Sequence, residues 1–112
     1  MANLDIVRKI VQAELAARVD VLLQRSHAEL ERLPACEPIL VRHHGVEITF
    51  TTYRDVLDDG LIQIIMHAST LQRRTLFSKA NMVLAKGFRM TRDRHIQDVP
   101  DRDLYESRQP AV

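Results

Sequence analysis

The chain has 112 residues and a formal net charge of +1, and 46% of its residues are hydrophobic and 28% charged. This composition is typical of one globular domain, and with three Gly and four Pro it excludes collagen-like, low-complexity and disordered classes. A single Cys excludes an internal disulfide framework and a cysteine-rich zinc module. No apolar run approaches the ~20 residues needed to span a bilayer. We therefore predict no membrane association and a cytoplasmic location.

The charged residues are unevenly distributed along the chain. Residues 61–97 carry seven basic residues against one acid, Asp93, whereas the segments on either side of them are net acidic. Such a stretch can present a positive surface to an acidic protein or to nucleic acid. An ordinary solvated face, partly neutralised by the acidic flanks, is the alternative. The candidate contact residues are Arg73, Arg74, Lys79, Lys86, Arg89, Arg92 and Arg94.

The periodicity of residues 4–33 predicts one long helix, which ends at Pro34 because proline cannot continue it. Apolar residues recur at a spacing near 3.6 in two adjacent stripes. The first stripe comprises Leu4, Val7, Val11, Leu15 and Leu22, and the second comprises Ile6, Ile10, Ala13, Ala17 and Val21. Together the stripes form an apolar face wider than one sheet is expected to cover.

The length of this helix favours self-association. Its roughly 30 residues would form a rod of ~45 Å, whereas a compact domain of this size is only about 34 Å across. We therefore predict a homo-oligomer in which Val7, Val11, Leu15 and Leu22 contact a second copy. The alternative is a pair of shorter helices, separated near Asp20, that fold back on one sheet.

Two alternating runs, Ile39–His43 and Val46–Tyr53, predict a β-hairpin. The two residues between them, His44 and Gly45, form a tight turn in which glycine supplies a positive φ. This turn pairs His43 with Val46, and the pairing continues residue by residue to Ile39 opposite Phe50. It also places Arg42 opposite Glu47, an attractive cross-strand pair.

The remaining elements complete an α+β domain that spans residues 1–112. Leu61–Leu71 is predicted as a third strand, so that residues 39–72 form a three-stranded antiparallel meander on which the long N-terminal helix packs. Residues 75–87 are predicted as a short basic helix that ends at Gly87. Small C-terminal elements follow, and residues 98–112 are predicted to be a partly ordered tail.

Candidate catalytic groups do not form a recognisable constellation. His43 and His44 are adjacent and would point to opposite faces of a strand, so they cannot readily share a metal ion. Cys36 has no histidine at a spacing that would activate it. The three glycines are isolated, which argues against a phosphate-binding loop. We predict no catalytic, metal-binding or cofactor-binding residues and no cofactor.

These observations predict a small non-catalytic interaction or regulatory protein that self-associates and binds another macromolecule. The first alternative is a nucleic-acid-binding protein that uses the basic segment 73–94, although only Phe77 and Phe88 offer aromatic platforms there. The second alternative is a small enzyme whose site is not visible in the sequence.

Overall fold

A computed structural model describes residues 4–73 and 79–105 of the chain. These residues form an α+β fold in which five antiparallel strands follow one another across a single sheet, in the order β1-β2-β3-β4-β5. The predicted class fits, but the prediction of three strands is wrong. The elements are α1 (Leu4–Leu23), α2 (His27–Glu31), β1 (Cys36–His43), β2 (Val46–Val56), β3 (Ile62–Arg73), β4 (Lys79–Met90), β5 (Ile96–Asp98) and α3 (Asp101–Leu104).

The prediction of one helix over residues 4–33 is wrong, because the helix ends at Leu23 and a new one begins at His27. Ser26 and Glu29 cause the second start. The Ser26 hydroxyl accepts a hydrogen bond from the Glu29 backbone N–H at 3.1 Å, and the Glu29 carboxylate accepts one from the Ser26 N–H at 3.2 Å. This reciprocal capping box satisfies backbone groups that a continuous helix would have paired elsewhere. Hydrogen bonds from Ser26, with Arg25 nearby, also lower the pKa of Glu29 below its ordinary value.

The shortened helix α1 packs on the chain's own sheet. Its 20 residues extend only ~30 Å. The helix therefore does not extend beyond the domain, contrary to the prediction. Val7, Val11 and Leu15 are buried in the core together with Val19. The second stripe faces outward, and Ile6 and Val21 are each 57% exposed.

The β1–β2 hairpin has the predicted register, from His43 opposite Val46 to Ile39 opposite Phe50. His44 and Gly45 form its turn with φ values of 50° and 75°. Arg42 forms an ion pair with Glu47 across the two strands. The hairpin is longer than predicted, since its pairing continues to Cys36 opposite Tyr53.

The predicted helix over residues 75–87 is wrong wherever the structure describes it. Lys79–Met90 forms strand β4, which pairs with β3 along its whole length, and residues 75–78 lie outside the described residues. Side chains alternate along this strand between the two faces of the sheet. Leu84, Phe88 and Met90 point into the core beneath α1.

The two faces of the sheet are covered differently. We call the face on which α1 and α2 pack the helix face; it contains Phe50, Ile64 and Phe88. We call the other the tail face, because residues 99–105 lie against it and bond to His67 and Arg89. Of the predicted tail 98–112, residues 98–105 are therefore ordered on the sheet, and residues 106–112 lie outside the described residues.

Candidate functional site

A cleft opens on the helix face of the sheet, and we call it the helix–sheet cleft. It has a volume of about 330 Å³ and opens between the end of α1, the Leu33–Pro34 segment and strands β1 to β3. It exists because α1 packs mainly on β3 and β4 and leaves the β1 side of the sheet less covered. Its lining is largely apolar: Val21, Leu22, Leu33, Pro34, Ile39 and Met66, with Thr52 in addition. Leu22, one of the residues predicted to contact a second copy, lines this cleft.

Three charged side chains also line the helix–sheet cleft: Arg18, Arg25 and Glu37. The Arg18 guanidinium lies 4.5 Å from the centre of the Phe50 ring, a cation–π contact. Its Nε atom is 3.3 Å from a Glu14 carboxylate oxygen, but it is buried and has no hydrogen-bond partner among the described residues. Arg25 contacts the Glu29 carboxylate, also at 3.3 Å.

Strand β1 forms one edge of the sheet, and over residues 4–73 and 79–105 no strand pairs with its outer side. Arg54 N–H donates to the Ala35 carbonyl at 3.0 Å, which makes residues 35 and 54 a hydrogen-bonded pair. Because such pairs alternate along an antiparallel ladder, the backbone groups of Leu40 and Arg42 point away from β2. Leu40 is 68% exposed and its neighbour Ile39 is 43% exposed. The edge is therefore apolar and open.

A polar cluster on the tail face holds the C-terminal segment in place. Arg89 donates to Gln63 Oε1 at 2.7 Å and to Asp103 Oδ2 at 3.0 Å. His67 Nε2 lies 2.6 Å from the Leu104 carbonyl oxygen and must donate the proton, because a carbonyl only accepts. The Tyr105 hydroxyl accepts a hydrogen bond from the Ala85 N–H at 3.1 Å. These contacts tie the tail to the sheet and require no ligand.

The predicted basic contact residues do not share one described face. Lys86 is exposed on the helix face, whereas Arg89 is committed to the polar cluster of the tail face. Arg92 packs beside Gly60, and Arg94 donates to the Leu23 carbonyl at 3.2 Å. The remaining three cannot be placed in this way, since only the backbone of Arg73 and Lys79 is described and Arg74 lies outside the described residues.

Metal-binding and membrane-spanning features are absent from the part of the chain that the structure describes. No group of three or more His, Cys, Asp or Glu side chains there could hold a metal ion. His27 contacts the Gly60 carbonyl and Glu31, and His43 lies 3.7 Å from Glu14. Cys36 is an exposed free thiol. No helix within the described ranges is long and apolar enough to cross a membrane.

Comparison with known protein families, curated proteins and solved structures finds no match to the chain.

The sequence prediction missed both the helix–sheet cleft and the open edge, although one signal pointed to the edge. Pro38 lies inside β1, and a proline within a strand is typical of edge strands because it cannot donate to a neighbour. The cleft has no comparable signal, since Ile39 and Met66 have the pattern of ordinary core residues.

Proposed function

We propose that the chain is a non-catalytic interaction protein that self-associates through the outer edge of β1, with a second copy of the same chain as its partner. The supporting observation is the open edge itself, where exposed Leu40 and Ile39 adjoin outward-pointing backbone groups. Unpaired edges of this kind pair readily with another strand. The buried positions of Val7, Val11 and Leu15 make the core stripe of α1 unsuitable as the contact.

A two-fold axis perpendicular to the sheet at Leu40 gives a self-complementary pairing. Antiparallel partners directly opposite one another share a face, so Leu40 meets Leu40 of the second copy and Ile39 meets Val41. On the helix face, Glu37 of one copy meets His43 of the other, a pair in which the carboxylate can accept a hydrogen bond.

Backbone hydrogen bonds support the same register. The two Leu40 residues would exchange two of them, and the Arg42 N–H of each copy would donate to the Pro38 carbonyl of the other. Pro38 itself offers no donor, which limits the ladder to about four bonds. We therefore expect a weak, transient dimer whose interface is below about 1,200 Å².

Sedimentation equilibrium over a concentration series tests this proposal. The wild-type mass is expected to rise above 12.9 kDa with concentration. Leu40→Glu is expected to hold the mass at the monomer value, because two carboxylates would then face each other across the axis. The matched control is Val83→Glu: Val83 lies in the same cross-strand row and on the same face, but on β4, and is 45% exposed.

Two outcomes would contradict self-association through β1. One is a wild-type mass that stays at 12.9 kDa at every concentration. The other is a Leu40→Glu variant that associates as strongly as the Val83→Glu control.

The cytoplasm is the compartment that we propose for this protein. Cys36 is exposed and unpaired in the structure, and a reducing compartment keeps such a thiol free. Nucleic-acid binding and catalysis gain no specific support from the geometry, since the described basic side chains point in different directions and the polar cluster is internally bonded.

A further inference from the structure

We infer that the helix–sheet cleft is a binding site for a small molecule with an apolar body and a single carboxylate group. This inference does not require self-association, because Leu40 does not line the cleft, although Glu37 and Ile39 belong both to the lining and to the proposed β1 interface. It begins from the volume of about 330 Å³, which lies at the lower end of the range for small-molecule sites.

The lining of the cleft selects an apolar body. Leu22, Leu33 and Met66 present apolar surface to a space that no described side chain fills. Transfer of an alkyl or aromatic group from water to such a lining is favourable because it removes apolar surface from water. Val21 and Ile39 line the cleft and remain substantially exposed, so the cleft is open to solvent and to an entering ligand.

The guanidinium groups of the lining favour a carboxylate. Arg18, Arg25 and Glu37 line the space. Glu14 and Glu29 each form an ion pair with one arginine, so the preference rests on available N–H donors and not on an excess of positive charge. A guanidinium has five N–H donors, and among the described residues the ion pairs Arg18–Glu14 and Arg25–Glu29 occupy one nitrogen of each arginine. The other N–H groups of each guanidinium lie in one plane. Two of them can donate parallel hydrogen bonds to the two oxygens of a carboxylate.

Arg18 is the residue best placed to bind the carboxylate. Phe50 supports its guanidinium from below, and the ion pair with Glu14 restrains it from the side. Its buried Nε has no hydrogen-bond partner among the residues that the structure describes, although an unpaired buried donor is costly. The terminal N–H groups of Arg18 are therefore the donors that a carboxylate would use, because Nε is buried beside Glu14.

The experiment compares three probes of equal chain length: octanoate, octan-1-ol and octylamine. Isothermal titration calorimetry is expected to show that octanoate binds about tenfold more tightly than octan-1-ol, the ratio expected for one charge-assisted hydrogen bond. Octylamine is expected to bind most weakly, because an ammonium group only donates hydrogen bonds and neither guanidinium can accept one. Equal binding of octanoate and octylamine would overturn the carboxylate assignment, and no binding of any probe would overturn the site.

Two pairs of variants locate the bound probe. Val21→Trp fills the mouth of the cleft and is expected to abolish binding, whereas Ile6→Trp is the control, because Ile6 is equally exposed on the same helix but does not line the cleft. Arg18→Met is expected to weaken octanoate binding about tenfold and leave octan-1-ol unchanged, with Arg8→Met as its exposed control on α1.

Circular dichroism melts establish that each variant is folded before titration. If Arg18→Met unfolds, Arg18→Lys retains the charge without the fork, and a smaller loss of octanoate affinity is expected. Wild-type affinity in Val21→Trp would overturn the placement of the ligand. Leu40→Glu is expected to bind octanoate normally, so failure of the proposed dimer and failure of this site are separate results.

Discussion

Gly87 occupies a position where a side chain would collide with the neighbouring strand. A Cβ atom added there would lie 2.4 Å from the Ile64 carbonyl oxygen and 3.1 Å from the Ile65 Cα. Both contacts are with backbone, which cannot move aside without disturbing the β3–β4 ladder. The sequence prediction assigned Gly87 to the end of a helix, whereas the structure requires glycine for close approach within a sheet.

Substitution of Gly87 by alanine is therefore expected to destabilise the fold. We expect Gly87→Ala to lower the free energy of unfolding by about 1–3 kcal/mol, as in other overpacked sites. Urea denaturation measures this loss. Ala85→Gly is the control on the same strand and face, and it should cost no more than about 1 kcal/mol. A Gly87→Ala variant as stable as wild type would contradict the close approach.

Individual elements differ in how far local sequence determined them. The β1–β2 register was predictable, because strict alternation and a two-residue turn leave one pairing that keeps Ile48 and Phe50 on the same face. Strand β4 could not be predicted from local sequence, because its Ala, Met, Leu and Lys residues are good helix formers. Pairing with β3 overrides that preference, and the alternation of Leu84, Phe88 and Met90 was the available signal.

The break between α1 and α2 also had a local sequence signal, but the apolar repeat continues across it and favoured one long helix. Ser26 and Glu29 have the spacing of a capping box, which marks a helix start even inside an apolar repeat. The apolar pattern continues through the break, since Leu30 enters the same core as Val19. Periodicity alone therefore extended one helix across two.

The hairpin turn between β1 and β2 can be improved by one substitution. His44 has a φ of 50°, a region that costs most L-residues roughly 1–2 kcal/mol and that asparagine tolerates better. We expect His44→Asn to raise the free energy of unfolding by up to about 1 kcal/mol, despite loss of the ring contact with His43. Urea denaturation measures the gain. His95→Asn, at an exposed histidine of negative φ, should give none, and a less stable His44→Asn would contradict the turn assignment.

At the scale of the whole molecule, the β1 end of the sheet is less covered than the strands β3 and β4. Helix α1 covers β3 and β4, and the tail 99–105 bonds to β3 and β4 on the opposite face. Strand β1 is therefore poorly covered, and both the helix–sheet cleft and the Leu40 edge lie there. Sequence could not predict this arrangement, because Ile39 and Val41 alternate like core residues and their exposure depends on where the helix lies.

Because α1 belongs to the core of a single chain, substitutions in its buried stripe should affect folding and not association. Val11 is fully buried, and Val11→Ala is expected to lower the free energy of unfolding by about 2–3 kcal/mol through lost burial and a residual cavity. Urea denaturation at a concentration where the chain is monomeric measures this loss free of dimerisation, which would otherwise add to the apparent stability. In sedimentation equilibrium, folded Val11→Ala should associate as wild type does. Leu40→Glu should keep the unfolding free energy of the wild-type monomer and lose association. A Val11→Ala variant that dissociates but keeps its unfolding free energy would indicate that α1 forms the dimer interface. It would contradict the proposal that β1 forms it.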